Sequence, residues 1–332
     1  MRTDILPVCF DAAVNVPTKQ LDALVVGAGV IGLVTALRLR QQGMHVEVWT
    51  RDDPFETTSA VAGAIWYPFL AEPRDRVAEW SAFTFSRLVE LAGEPAAGVS
   101  MQPVIEVFDQ ADPDLWWASA VPDLERLPQD QVPNGYRSAV RTSVPVCDVP
   151  VHMRWLLDQL HAQGVMIVRR QLTSLDEALA EAKFVVNCTG LGSRELCGDR
   201  ELQAVRGQVL RVDGPRLPHA WIDDTSGEPC YLIPRSDGLV IGGTAQAGDD
   251  RTVADAGDTD AILRRAISRF PELQQSKVLA ACVGLRPYRS SVRLELEHRD
   301  GARRLVHNYG HGGSGYTLSW GCAEVVASLL TS

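Results

Sequence analysis

The sequence predicts an α/β fold, organised as two closely joined domains in an α+β arrangement, and three observations carry that prediction. Near the start, Leu24-Val25-Val26-Gly27-Ala28-Gly29-Val30-Ile31-Gly32 sets an apolar run against a glycine-patterned turn and then a helical pattern. Near the end, His307-Asn308-Tyr309-Gly310-His311-Gly312-Gly313-Ser314-Gly315-Tyr316-Thr317 forms a second glycine-rich turn, between apolar Leu305-Val306 and a helical pattern from Leu318 to Leu330. Between the two lie short apolar runs broken by turns, as in an antiparallel sheet.

At 332 residues the chain can bury a substantial core. A net charge of −10, with 22% charged residues, argues against nucleic acid or an anionic membrane as the main partner. Seven cysteines (Cys9, Cys147, Cys188, Cys197, Cys230, Cys282, Cys322) are scattered, without a Cys-x-x-Cys pair. That fits reduced thiols in a cytosolic protein better than a disulfide framework or a metal site. The run Ile5 to Phe10 is broken by Pro7 and ends at Asp11, so it does not read as a signal peptide. Leu24 to Leu37 is too short to span a bilayer. The expected location is the cytoplasm.

Taken in order, residues 23–26 read as a buried strand, 31–41 as a helix closed by Gly43, and 46–49 as a second strand. This is the context in which Gly-x-Gly-x-x-Gly means dinucleotide binding. Gly27 permits the tight turn, Gly29 lets a pyrophosphate approach the backbone, and Gly32 lets the helix pack on the strand. The expected acidic ribose clamp is replaced by Thr50, Arg51 and Asp52. Arg51 would suit a 2′-phosphate, which keeps a nicotinamide dehydrogenase as a rival, whereas Asp52 would suit a ribose. Thr57-Thr58-Ser59 and then Ala62-Gly63-Ala64-Ile65-Trp66 combine hydroxyl donors with small residues, fit to bind a pyrophosphate and pass closely against a flat ring. The same stretch also reads as a polar loop entering a buried segment. Two anion-cradling turns at opposite ends suit one long cofactor held at two places, and FAD is the natural candidate.

Phe184-Val185-Val186 is of strand type and ends at Asn187-Cys188-Thr189-Gly190, where a doubly wound sheet receives its ligand. Cys188 reads as a packed small residue. Arg206-Gly207-Gln208 opens a β-rich stretch: Gln208 to Val212, Tyr231 to Ile233 and Leu239 to Gly242, with a turn at Ser236-Asp237-Gly238. Residues 109–135, rich in Pro, Asp and Trp, read as loops.

On these residues the chain resembles the D-amino-acid oxidase family, the flavoenzymes that include the D-aspartate oxidases, over about residues 22–330. The resemblance rests on Val26 through Leu33, Val61 through Trp66, Val185 through Gly190, Arg206-Gly207-Gln208, Gly284-Leu285-Arg286-Pro287, and His307 through Gly315, in the family's order. It implies a Rossmann-like FAD-binding domain from residues 21–72, 145–205 and 280–332. It also implies a substrate domain built on a mostly antiparallel β-sheet from 73–144 and 206–279, with residues 1–20 as an N-terminal extension. The implied cofactor contacts are Gly27, Ala28, Gly29, Val30 and Ile31; Thr50, Arg51 and Asp52; Thr57, Thr58 and Ser59; Gly63, Ala64 and Ile65; Leu172; Cys188, Thr189 and Gly190; Arg286; and Gly312, Gly313, Ser314, Gly315, Tyr316 and Thr317.

The resemblance further implies that Arg286 clamps the carboxylate of a D-amino acid through two parallel hydrogen bonds, as Lys could not. Tyr231 adds its hydroxyl, and the Gly313 carbonyl accepts from the amine. No general base is required: the α-hydrogen leaves as hydride to the flavin, and the helix start near Gly315 to Thr317 faces the charge that develops there. Dioxygen restores the flavin and yields hydrogen peroxide, and the imino acid hydrolyses to a 2-oxo acid and ammonia. His307 and His311 are assigned structural roles. Ile65, Tyr67, Trp221, Ile222 and Asp223 are the expected substrate pocket, open because the loop from Asp223 to Cys230 is short and has no tyrosine before Tyr231. Asp223 and Ala245 stand where D-aspartate oxidases place arginines, so neutral D-amino acids are expected, with D-arginine or D-lysine admitted through Asp223 or Asp224. The rivals are oxidation of D-aspartate, glycine or a secondary amine on the same fold, and a flavin-binding protein without activity. A homodimer is one option for assembly.

Overall fold

The computed structural model describes residues 21–225, 227–236, 238–298 and 303–331. The expected N-terminal extension and Asp237 of the turn lie outside the described residues.

The chain opens β1 (Ala23–Val26), α1 (Val30–Gln41) and β2 (Val46–Thr50), the unit the glycine pattern predicts. It continues through α2 (Arg74–Leu91), β3 (Val99–Phe108), β4 (Glu125–Arg126), β5 (Ser138–Cys147), α3 (Val149–Ala162), β6 (Met166–Arg169), α4 (Leu175–Glu181) and β7 (Phe184–Asn187). Then follow α5 (Ser193–Leu196), β8 (Gln203–Asp213), β9 (Ala220–Asp223), β10 (Cys230–Arg235), β11 (Gly238–Gly242), β12 (Gln246–Ala247), α6 (Ala256–Arg269), β13 (Lys277–His298), β14 (Arg304–His311) and α7 (Gly315–Thr331).

One continuous sheet holds these strands. Its first half, in the order β6-β2-β1-β7-β14, is parallel throughout. Every residue of β1 and β7 is buried, which is why both read as unbroken apolar runs. The second half runs β13-β8-β11-β10-β9 antiparallel, then β3 parallel to β9, then β5 and β4 antiparallel. The fold is thus α/β with a large, mostly antiparallel sheet, as the sequence predicts.

The joint between the halves is β13. Residues 277–288 of this strand pair with β8 and residues 288–298 with β14, across a register shift. Arg286 lies inside this long strand. Pro287 hides the strand from a sequence reading because proline cannot donate to a ladder. Helices α1 and α7 pack together, and α2 closes on α7 where Gly321 meets the Trp80 backbone. The Gly321 N–H donates to Thr84 Oγ1 at 2.9 Å.

The Arg206-Gly207-Gln208 motif has a structural explanation. Arg206 is fully buried, and its guanidinium donates to Gln246, Asp258, Gln208 and the carbonyls of Arg251 and Val253, at 2.7–3.1 Å. A buried cation is tolerated only when its donors are satisfied, and here they tie β8 to the loop that leads into α6.

Candidate active site

A cavity of about 640 Å³ runs from the carboxyl ends of the parallel strands to the face of the antiparallel half, and both glycine turns line it. At its nucleotide end Gly27 has φ +111°, and a Cβ there would stand 2.5 Å from the Cys188 carbonyl oxygen. A Cβ on Gly32 would stand 1.8 Å from the Gly27 oxygen, so helix α1 meets its own entry turn with no room for a side chain. The first turn of α1 has no acidic residue and no side-chain cap, and its Val30 N–H donates to Ser59 Oγ at 2.9 Å. A helix start open to a cavity favours an anion.

At the other turn Gly312 has φ +53°, with the Leu70 carbonyl oxygen where a Cβ would be. The start of α7 grips the segment Tyr67 to Phe69 through two hydroxyls. Ser314 Oγ accepts from Phe69 N–H at 2.7 Å and donates to Phe69 O at 2.8 Å. Thr317 Oγ1 accepts from Tyr67 N–H at 3.1 Å and donates to Tyr67 O at 3.0 Å. Tyr316 donates to the Ser59 carbonyl at 3.1 Å, which joins the two turns.

All of the expected cofactor positions except Ser314 line this cavity. Ser314 is buried, and its hydroxyl bonds the Phe69 backbone. An elongated cavity, Cβ-free turns at both ends and the hydroxyls of Thr57, Thr58 and Ser59 fit a cofactor of the size and charge of FAD. Arg51 is paired with its neighbour Asp52 at 2.7 Å, so its charge is already countered.

Arg286 and Tyr231 are brought together across the antiparallel strands, each over a glycine. A Cβ on Gly207 would stand 2.3 Å from Arg286 Nη1, and one on Gly242 would stand 1.9 Å from the Tyr231 ring. Arg286 Nη1 donates to the Thr244 carbonyl at 2.8 Å, and the guanidinium lies near the Tyr231 hydroxyl. Burial pushes the Tyr231 hydroxyl up, while the neighbouring Arg286 acts against the shift. Gly313 lies against Phe69 and Arg286. The result is a cation and a hydroxyl aimed at one place, suited to a carboxylate. The sequence reading missed Gly207 and Gly242 as clearing residues; the adjacent pair Gly242-Gly243 in a strand was the available signal.

Of the expected substrate pocket, Ile65, Tyr67 and Ile222 line the cavity, whereas Trp221 and Asp223 do not; nor does Ala245. Alternation along β9 sends Trp221 and Asp223 to the opposite face from Ile222. Trp221 packs edge-on against Tyr136 and Phe270, with ring centroids at 5.8 and 5.3 Å. Asp223 accepts from Tyr136 and Thr225 and pairs with Arg269 at 3.2 Å. Burial acts against its charge, but those partners prevail and hold it below the usual carboxylate range. The next residue, Asp224, does line the cavity. Close surrounding protein and the nearby Asp223 push it up to about 6, against the pull of Arg286.

His307 is buried off the cavity, bonded to Glu297 at 2.8 Å and to Asn187 at 3.3 Å. His311 lines the cavity but is buried, and burial pushes it down to about 3; its Nε2 meets Asn308 Oδ1 at 3.1 Å. A neutral, bonded imidazole agrees with a structural role. Burial pushes the Cys188 thiol up to about 12, so it is no nucleophile. No cluster of three or more metal-ligating side chains occurs among the described residues. None of their helices is long and apolar enough to cross a membrane.

The chain matches the family model for FAD dependent oxidoreductase (DAO) over residues 22–329. It is 44% identical over 309 residues to a D-amino-acid oxidase of Rubrobacter xylanophilus, covering 92% of this chain and 95% of that protein. It is 40% identical over 313 residues to a D-amino-acid oxidase of Streptomyces coelicolor, covering 93% and 96%. Among solved structures, glycine oxidase from Geobacillus kaustophilus superposes with a TM-score of 0.79 at 19% identity, covering 95% of each chain, a likeness of fold.

Proposed function

The chain belongs to the family of FAD-dependent oxidoreductases that includes the D-amino-acid oxidases, and on that premise we propose that it oxidatively deaminates D-amino acids with neutral side chains, basic ones being admitted beside Asp224. The observation that carries this reading is the Arg286–Tyr231 pair, held over Gly207 and Gly242 at the substrate end of the cavity.

Arg286 holds the substrate carboxylate in a fork and Tyr231 adds a hydroxyl, so the substrate is fixed by its carboxylate while Cα faces the cofactor side of the cavity. The Gly313 carbonyl accepts a hydrogen bond from the amine. The amine lone pair becomes the second bond of C=N as the α-hydrogen departs with its electron pair, and no side chain is needed as base. The Tyr67–Phe69 segment, clamped by Ser314 and Thr317, keeps the pocket wall rigid. When bound along both glycine turns, FAD supplies the hydride acceptor, and dioxygen regenerates it with release of hydrogen peroxide. Water converts the imino acid to a 2-oxo acid and ammonia.

An anionic side chain would meet Asp224 in the cavity, which disfavours D-aspartate; the anion that discriminates is Asp224 rather than Asp223. The same reading keeps the two-domain division, residues 21–72, 145–205 and 280–332 against 73–144 and 206–279. It also keeps the cytoplasm as location, supported by the six free cysteines of the described residues. The test is a visible spectrum of the purified protein before and after anaerobic addition of D-alanine, D-methionine, D-arginine or D-aspartate. Bleaching of a flavin band by the first two, and not by D-aspartate or L-isomers, is expected. A protein with no flavin band after FAD addition would overturn the reading.

A further inference from the structure

Phe69 meets both of the groups that the proposed reaction sets on the substrate. Its ring centroid lies 5.7 Å from Arg286 Cζ, within reach of a cation–π attraction. A Cβ on Gly313 would stand 2.6 Å from Phe69 Cδ1 and 3.5 Å from Arg286 Cδ. The ring and the arginine stem therefore close on a position that glycine alone leaves free. Phe69 is half-buried and lines the cavity.

The backbone around the ring is held from several sides. The Phe69 carbonyl accepts from the Gly313 N–H at 3.1 Å and from Ser314 Oγ at 2.8 Å, and the Phe69 N–H donates to the same hydroxyl at 2.7 Å. The Gly312 N–H donates at 2.9 Å to the carbonyl of Pro287, the residue after Arg286. The turn that carries the Gly313 carbonyl thus hangs from Phe69 and from the strand of Arg286. Leu70, next to the ring, has φ +55°, a left-handed conformation that is unfavourable for a residue with a Cβ. Such a conformation persists only where its surroundings over-determine it, and it is concentrated at functional sites.

The carboxylate clamp and the amine acceptor stand on different segments, Arg286 in β13 and Gly313 just before α7. Departure of the hydride requires carboxylate and amine to be held in one relative position, so that Cα is presented to the cofactor. A phenyl ring is a rigid spacer without a strong donor or acceptor, so it can set this separation without competing for either group. Arg286 also keeps its bond to the Thr244 carbonyl, which does not depend on the ring. Resting on the D-amino-acid oxidase reading, we propose that Phe69 is a positioning residue: its ring fixes the spacing between Arg286 and the Gly313 carbonyl, and thereby the rate at which bound substrate reduces the flavin, while adding little to the affinity for the carboxylate.

The test is anaerobic stopped-flow reduction of the FAD-loaded enzyme by D-alanine, which separates the limiting rate of reduction from the dissociation constant. Propanoate, which has the carboxylate and lacks the amine, is titrated alongside and read as a perturbation of the flavin band. Phe69→Leu is expected to lower the limiting rate about 30-fold or more, with propanoate affinity within about three-fold of wild type. Phe69→Tyr, which keeps the ring, is expected to hold the rate within about three-fold of wild type. Phe69→Met, unbranched and without a ring, should follow Phe69→Leu and replaces it if the leucine variant does not fold. A limiting rate within about three-fold of wild type in the ringless variant would overturn the inference and leave the oxidase reading intact. So would a loss confined to the affinities for D-alanine and propanoate, which would make Phe69 a support of the clamp alone. If no D-amino acid reduces the wild-type flavin, the oxidase reading fails and this inference falls with it.

Discussion

Gly207 leaves open the space that the Arg286 guanidinium occupies: a Cβ at residue 207 would lie 2.3–2.5 Å from Nη1, Cζ and Nη2 together. The two residues are paired with near neighbours on adjacent strands, with Gly284 opposite Gly207 and Arg286 opposite Val205. The guanidinium therefore lies flat on the sheet, over a backbone with no side chain to lift it.

Gly207→Ala should therefore act on substrate geometry. Displacing the fork by an ångström or so is expected to lower kcat/KM for D-alanine about 100-fold. Bound flavin and the far-UV circular dichroism should stay as in the wild type. Steady-state kinetics beside a flavin spectrum checks this; wild-type kinetics in Gly207→Ala would mean the guanidinium is not held where the structure has it.

Arg286→Lys tests the fork directly. Lysine keeps the charge but offers no planar pair of donors and leaves the Thr244 carbonyl without its partner. The expected loss is about 10²–10³-fold in kcat/KM. Most of it should appear in KM if the clamp acts on bound substrate and transition state alike. A variant within three-fold or so of wild type would show that charge alone suffices.

Ser314→Ala separates anchoring from cofactor contact. The hydroxyl makes both a donated and an accepted bond to Phe69, and its loss should destabilise the protein by about 1–2 kcal/mol. FAD affinity, measured by titrating the apoprotein, should change little, since Ser314 does not line the cavity. A large fall in affinity at unchanged stability would restore Ser314 to the cofactor contacts.

What the sequence made legible follows from how local each signal is. The turn through Gly27, Gly29 and Gly32 is complete within ten residues, and its strand, helix and second strand appear where they are predicted. Arg286 and Tyr231 were reached through the family resemblance, because nothing near either residue says which way its side chain points. Trp221 and Asp223 went to the wrong face for the same reason: a four-residue strand gives too few alternations to fix its phase, and a one-residue slip reverses every side chain. The clearances at Gly207 and Gly242 are contacts between strands, not patterns along them.

Glu106, buried on β3 with its Oε1 accepting from the Tyr67 hydroxyl at 2.6 Å, predicts how stability depends on pH. Burial first, and Asp224 beyond it, push its carboxyl up to about 8, although the hydrogen bond from Tyr67 acts the other way. The unfolded chain releases this proton near the ordinary carboxyl value of 4.5, while the folded protein keeps it until about 8. Between these limits the folded state binds the extra proton, so Glu106 makes the protein progressively less stable as pH rises, and the loss is complete above about 8. Glutamine has the same shape and no charge to bury. Glu106→Gln should therefore differ little from wild type at about pH 4, where both carry a neutral group, and should be the more stable by up to a few kcal/mol at about pH 9. Thermal unfolding of both proteins across this range measures the difference. A gap that shrinks as pH rises would mean that the folded state stabilises the Glu106 carboxylate, and that its environment is not the buried, cation-free one seen here.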